Sequence, residues 1–205
     1  MKGREGLLIL TVVSWAAPAQ SEWNMGKSLA DLLIKTQPAQ EEKERPARFK
    51  DNGDGTVTDS RSGLIWLKDA DCVVFFAGDS QGLNSRSWRR AELAAGLLAN
   101  GFCGLTDGSK PGGWRLPARE ELLSIVEPNY ESPALANTAG TGQWTENDPF
   151  VSVQSFFYWS SSEDKNQPDY AFYVNLAYGV DSYAFQLNTF HVWPVRGGQK
   201  EQQPK

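Results

Sequence analysis

Histidine is nearly missing from this chain, with one in 205 residues, and cysteine and methionine occur only twice each. A lone His191 beside two cysteines leaves too few soft ligands for a zinc finger or a similar cluster. There is no Gly-X-Y run, which excludes a collagen-type triple helix. No apolar run reaches the roughly 20 residues that span a bilayer. Excess positive charge is also absent: 20 Lys and Arg stand against 25 Asp and Glu, a formal net charge of −5. That balance argues against nucleic acid or an anionic membrane as partner. Neither a P-loop nor a dinucleotide fingerprint occurs.

Aromatics and turn formers fill the space instead. Eight Trp, ten Phe, 19 Gly and 11 Pro suit a loop-rich fold held by large aromatic anchors better than a helix bundle. The chain is long enough for one domain with tails and a sizeable core.

The first 19 residues have the form of a secretory leader. Lys2 and Arg4 precede the apolar stretch Leu7 to Trp15, and Ala17-Pro18-Ala19 supplies the small-x-small pattern before a cut. A retained N-terminal anchor is the alternative. Export, to a periplasmic or extracellular location, would make Cys72 and Cys103 an even pair in an oxidising compartment. A disulfide is then the leading reading, worth roughly 3.5 kcal/mol in the chain-entropy account; a metal pair is the rival. Residues 20–47 form a polar linker in which Leu29, Leu32, Leu33 and Ile34 could make one short helix. The folded domain is expected over 48–198 and a disordered tail over 199–205.

Within the domain, Asn52-Gly53 and Asp54-Gly55 are strong turn dipeptides. They sit among the β-prone segments Phe49, Thr56–Thr58 and Leu64–Leu67 and predict a small meander. Asp51, Asn52, Asp54 and Asp59 also invite a calcium reading, since hard oxygen ligands cluster there. Gly53 and Gly55 occupy the third and fifth positions, where an EF-hand places oxygen ligands, so structural turns compete with a metal. Ser87 is a suitable N-cap for a helix over Trp88–Ala99, with Trp88, Ala91, Ala95 and Leu98 (and Leu97) on its buried face and Asn100-Gly101 as the stop. A second helix is expected from Pro117, with Glu120 and Glu121 favouring its start and Leu122, Leu123, Ile125 and Val126 its apolar stripe. A loop over 128–149 follows, with Trp144 either a plug or a contact residue. Aromatic strands then run through Phe156–Ser162, Tyr170–Leu176 and Val180–Asn188, with Gly179 at a turn. Two helices amid short antiparallel strands define an α+β architecture.

Taken in order, several blocks resemble a known family. Arg48-Phe49, Asp51-Asn-Gly-Asp-Gly-Thr-Val-Thr-Asp59 and Gly63-Leu-Ile-Trp66 are similar to the opening of the Lcl C-terminal domain family, also called DUF1566. Trp88 with Ala91, Cys103-Gly-Leu-Thr-Asp107, Gly113-Trp-Arg-Leu-Pro117, Tyr158-Trp-Ser-Ser161 and Val192-Trp-Pro-Val-Arg-Gly-Gly198 are similar to its later blocks. The resemblance implies a C-type-lectin-like fold with neighbouring termini, two helices beside short antiparallel sheets, and an exported bacterial protein. In the collagen-like adhesin of this family the domain binds sulfated polysaccharide. By analogy with lectin-like folds, the ligand surface lies on the long loop and late strands, which nominates Trp144, Tyr178, Asp181, Tyr183, Gln186 and Asn188.

An enzyme is not expected. A serine nucleophile needs a base, and His191 lies in a β-prone segment beside Trp193, where a structural role suits it better. The resulting expectation is a non-catalytic module that recognises carbohydrate or another cell-surface ligand. A protein–protein interaction or envelope scaffold role is the alternative. No cofactor is expected beyond the calcium left open above. Trp66, Trp114, Trp159 and Trp193 are assigned to the core.

Overall fold

The computed structural model describes residues 46–72 and 85–198. The expected leader, residues 20–45 of the expected 20–47 linker and the C-terminal tail lie outside the described residues.

The Asn-Gly and Asp-Gly turns do what their chemistry dictates. Gly53 and Gly55 adopt positive φ (76° and 84°), and the chain reverses between β1 (Phe49–Asp51) and β2 (Thr56–Asp59), continuing to β3 (Leu64–Leu67). A late strand, β9 (Val195–Gly197), joins β3, giving the antiparallel order β1-β2-β3-β9. First and last strands therefore share one sheet. The second sheet has the order β4-β8-β5-β6-β7, from Ser85–Arg86, Phe190–His191, Phe157–Glu163, Tyr170–Asn175 and Val180–Phe185. It is mixed: β5 and β8 run parallel through Tyr158 and His191, where only antiparallel pairing was expected.

Two helices pack beside these sheets. Helix α1 (Trp88–Leu97) buries Trp88, Ala91, Ala94 and Ala95, and Leu98 is buried just beyond it. It stops earlier than Asn100-Gly101, with Leu98 extended at the C-cap. Leu97 is exposed rather than part of the buried face, because at 100° per residue it points away from the stripe through Ala91, Ala94 and Ala95. Ser87 occupies the N-cap without a side-chain hydrogen bond. Helix α2 is Arg119–Ile125, with Ala118 as N-cap, so Pro117 precedes the helix instead of opening it. Glu121 reaches back 2.8 Å to the Ala118 N–H, satisfying one of the free donors of the first turn.

Two apolar clusters result. The larger gathers Phe49, Val57, Trp66, Leu122, Ile125, Phe150, Tyr158, Val174 and Trp193, with rings meeting edge to face at 5.0–5.2 Å in the pairs Phe49–Phe150, Trp66–Trp193 and Phe150–Trp193. The smaller gathers Trp88, Ala91, Ala95, Leu116, Trp159, Ala171 and Val192. All four assigned tryptophans are buried. Cys72 and Cys103 form the disulfide. The 128–149 segment is bridged to the end of α2 through Leu135 and Val126 and within itself through Ala136 and Gln143, and buries Ala134, Leu135 and Ala136 completely.

Candidate binding face

Strands β6 and β7 form a hairpin around Gly179 in strict antiparallel register, Tyr170 opposite Phe185, Phe172 opposite Tyr183 and Val174 opposite Asp181. Period-two alternation places these six side chains on one face. At one end, Val174 is buried in the larger core. Toward the other end the face opens: Tyr183 is 48% exposed and Phe185 40%, with Tyr170 and Phe172 half-buried. The rings contact each other at steep angles, Tyr170–Tyr183 at 5.9 Å, Tyr170–Phe185 at 5.7 Å and Phe172–Tyr183 at 6.1 Å. Mutual edge-to-face packing fixes their orientation without burying their outer surfaces.

Arg119, from the first turn of α2, completes the face. Its guanidinium lies 4.7 Å from the Phe172 ring centre and its Nε donates to Asp181 at 2.6 Å. An arginine is cationic at any working pH, and the bond to Asp181 raises the Arg119 pKa further above its ordinary value. An apolar ring platform thus ends in a fixed charge pair with donor and acceptor capacity left over.

The nominated residues divide accordingly. Asp181 and Tyr183 fall on this face together. Tyr178 is exposed at the hairpin turn, 63% open. Gln186 donates to the Pro168 carbonyl at 3.1 Å, and Asn188 is exposed in the turn after β7. Trp144 is a plug: half-buried against the larger core, with its indole N–H donating 3.2 Å to the Phe150 carbonyl. Arg119, Tyr170, Phe172 and Phe185 were not nominated. The three aromatics were signalled by the matched alternation Tyr-x-Phe and Tyr-x-Phe on either side of Gly179; Arg119 had no such signal.

The four calcium candidates are occupied by local work. Asp51 accepts from the Gly53 N–H and pairs with Lys68 at 2.6 Å. Asn52 bonds the hydroxyls of Thr56 and Thr58 at 2.8 and 2.9 Å. Asp54 accepts from the Thr56 N–H and hydroxyl. Asp59 is buried, receives the Arg61 N–H and Ser62 hydroxyl, and lies 3.7 Å from the Arg48 Nε. The strand register sets Asp59 opposite Phe49, at the other end of the β1–β2 hairpin from the Asp51–Asp54 turn. Among the described residues no group of three or more His, Cys, Asp and Glu side chains is placed to hold a metal.

His191 Nδ1 lies 2.9 Å from Asp71 Oδ1, and its ring packs against Phe156 and Tyr158. This is the relation of a base to its orienting carboxylate, and equally of a satisfied structural histidine. A Gly-x-Ser-x-Gly spacing does occur in the chain, at Gly78-Asp-Ser80-Gln-Gly82, but it lies outside the described residues.

The model of the Lcl C-terminal domain matches residues 55–196. The chain belongs to the Lcl C-terminal domain family. The match contains both sheets' central strands, both helices and the whole β6–β7 face. No curated protein and no solved structure matches the chain. Among the described residues of this Lcl C-terminal domain, no helix is long and apolar enough to cross a membrane.

Proposed function

We propose that this Lcl C-terminal domain is an exported, non-catalytic binding module of C-type-lectin-like fold that takes carbohydrate on the β6–β7 face. The observation that carries the reading is the half-open set of rings from Tyr170, Phe172, Tyr183 and Phe185, ending in the Arg119–Asp181 pair. Sugar rings present apolar C–H patches that stack on aromatic surfaces, and hydroxyls that bond to fixed polar groups beside them. The hairpin offers both on a rigid frame, and rigidity limits the ordering cost of binding. The disulfide accords with an oxidising compartment outside the cytoplasm. Binding is independent of calcium in this reading, because the Asp51–Asp59 oxygens serve turns, Lys68 and Arg48.

A glycan array, followed by calorimetry on the ligand it identifies, tests the reading. Tyr183→Ala should weaken binding by about tenfold or more, the scale of one lost stacking contact with its water exclusion. Tyr178→Ala should leave it within about twofold, within the scatter of surface changes. Chelator should have no effect. Equal affinity in Tyr183→Ala would move the site off this face, and a blank array with a captured protein partner would favour the interaction role. Non-catalysis has its own check. Ester hydrolysis by the purified protein that Ser80→Ala and His191→Ala both abolish, without unfolding, would overturn it.

A further inference from the structure

Strand β7 is the outer strand of its sheet, and nothing among the described residues pairs with its far side. We propose that β7 pairs antiparallel with β7 of a second copy, joining two sheets into one and two aromatic faces into one platform.

The free hydrogen-bonding groups can be assigned from the register. The Gln186 N–H donates to the Asp169 carbonyl at 2.8 Å, so position 186 turns its backbone toward β6. Backbone direction alternates along an antiparallel strand, so Val180, Ser182 and Ala184 bond β6 while Asp181, Tyr183 and Phe185 turn their N–H groups outward. The Phe185 carbonyl is taken by the Asn188 N–H at 2.8 Å; among the described residues the other outward groups have no backbone partner.

Sheet edges in native proteins are normally blunted by lysine, proline, a bulge or a covering loop. Strand β7 reads Val-Asp-Ser-Tyr-Ala-Phe, without lysine, proline or glycine, and its register with β6 is unbroken from Tyr170 to Asn175. Its single charge, Asp181, is already neutralised by Arg119. Val180 is 55% exposed and Leu187, just past the strand, 72%. The edge is regular, with Asp181 on one face and Ser182 on the other among otherwise apolar side chains.

A second copy fits this edge because it is self-complementary. With the two-fold axis at Tyr183, Tyr183 meets its own counterpart and Asp181 meets Phe185 in both directions, so every outward position faces an outward position, with the Phe185 carbonyl shared between the Asp181 N–H across the seam and its own Asn188 N–H. An axis that makes neighbouring strands antiparallel is perpendicular to the sheet and keeps like faces on the same side. Tyr170, Phe172, Tyr183 and Phe185 of both copies would then line one continuous surface. The pairing stands independently of what that surface binds.

Sedimentation equilibrium of the purified protein over about two decades of micromolar concentration should show mass rising toward twice the monomer. Tyr183→Pro removes an outward N–H that β6 does not use, a substitution tolerated at edges. Ser182→Lys adds like charges near the axis. Each should weaken association by about tenfold or more, with the melting temperature read alongside to exclude unfolding. Tyr183→Cys should cross-link copies on mild oxidation, since paired Cα atoms lie about 5.5 Å apart at a bonded position, within disulfide reach. Val180→Cys should not. A protein monomeric throughout, a dimer indifferent to both edge variants, or cross-linking at position 180 instead of 183 would each overturn the proposal. Glycan binding by a strict monomer would overturn it while leaving the binding reading in place.

Discussion

Asp69 sits half-buried after β3, where its Oδ1 accepts the Asp71 N–H at 3.1 Å. Burial pushes its carboxyl above the ordinary aspartate range, and the nearby Asp71 and Glu146 push the same way. The sign of the linkage follows. With the folded pKa above the unfolded one, ionised Asp69 opposes folding; the penalty is absent below the unfolded value of about 3.8 and grows as pH rises through the folded one. Asp69→Asn keeps an oxygen for the Asp71 N–H and removes the charge. Urea midpoints should therefore show the variant gaining on the wild type between about pH 3.5 and pH 7. A stability difference that stays constant across that range would mean the charge is not the cause. Sequence reading could not find this residue, because its shift comes chiefly from burial, which tertiary packing sets. The same limit applies to the calcium candidates. Four oxygen-bearing side chains near two glycines carry the composition of a metal loop, and only the folded chain shows them bonded to the amides and hydroxyls of Gly53, Thr56, Thr58, Arg61 and Ser62, with Lys68 and Arg48 beside Asp51 and Asp59.

At the level of elements, the hairpin that carries the aromatic face depends on one backbone position. Gly179 has φ +68°, and a Cβ built there would lie 2.5 Å from Val126 Cγ1 and 3.1 Å from Ala134 Cβ. The turn of β6–β7 is thereby pressed against the end of α2 and the segment after it. Gly179→Ala should cost about 2 kcal/mol or more, from positive-φ strain and overpacking together. Gly53→Ala shares the unfavourable φ but meets nothing within 4 Å, so it isolates the strain alone, at about 1 kcal/mol. Denaturant midpoints that fall equally for both would show that the contact with Val126 contributes nothing. The hairpin itself was legible in sequence, since alternating aromatics flanked a glycine turn. The expected helices were legible too, though α1 ended before the Asn100-Gly101 signal because Leu98 turns extended to enter the core. What the sequence concealed was partnership: that Arg119 of α2 would lie over Phe172, and that β8 would lie parallel to β5. Both are set by tertiary packing, which local pattern does not encode.

Across the whole molecule, the apolar clusters and the cystine act on different parts of the chain. Ring packing holds both sheets, while Cys72–Cys103 ties the segment after β3 to the turn after α1, across a sequence separation of 31. Cys72 is buried in the larger cluster and Cys103 packs against it, so the bond is joined to the core rather than hung on a loop. The even cysteine count and the leader-like N-terminus made this bridge the leading expectation; its contact with the core could not be read from spacing. Closing a loop of that length restricts the unfolded chain by roughly 3.5 kcal/mol at 25 °C. The double variant Cys72→Ala, Cys103→Ala should accordingly lose about that much in urea titration, with a small further loss for the buried sulfur that Ala does not replace. Adding reductant to the wild type should reproduce most of the loss, whereas the double variant should ignore it. A wild type whose midpoint is unmoved by full reduction would show that the clusters alone define the fold. The domain would then be equally stable in a reducing compartment, and the cystine would no longer support a place outside the cytoplasm.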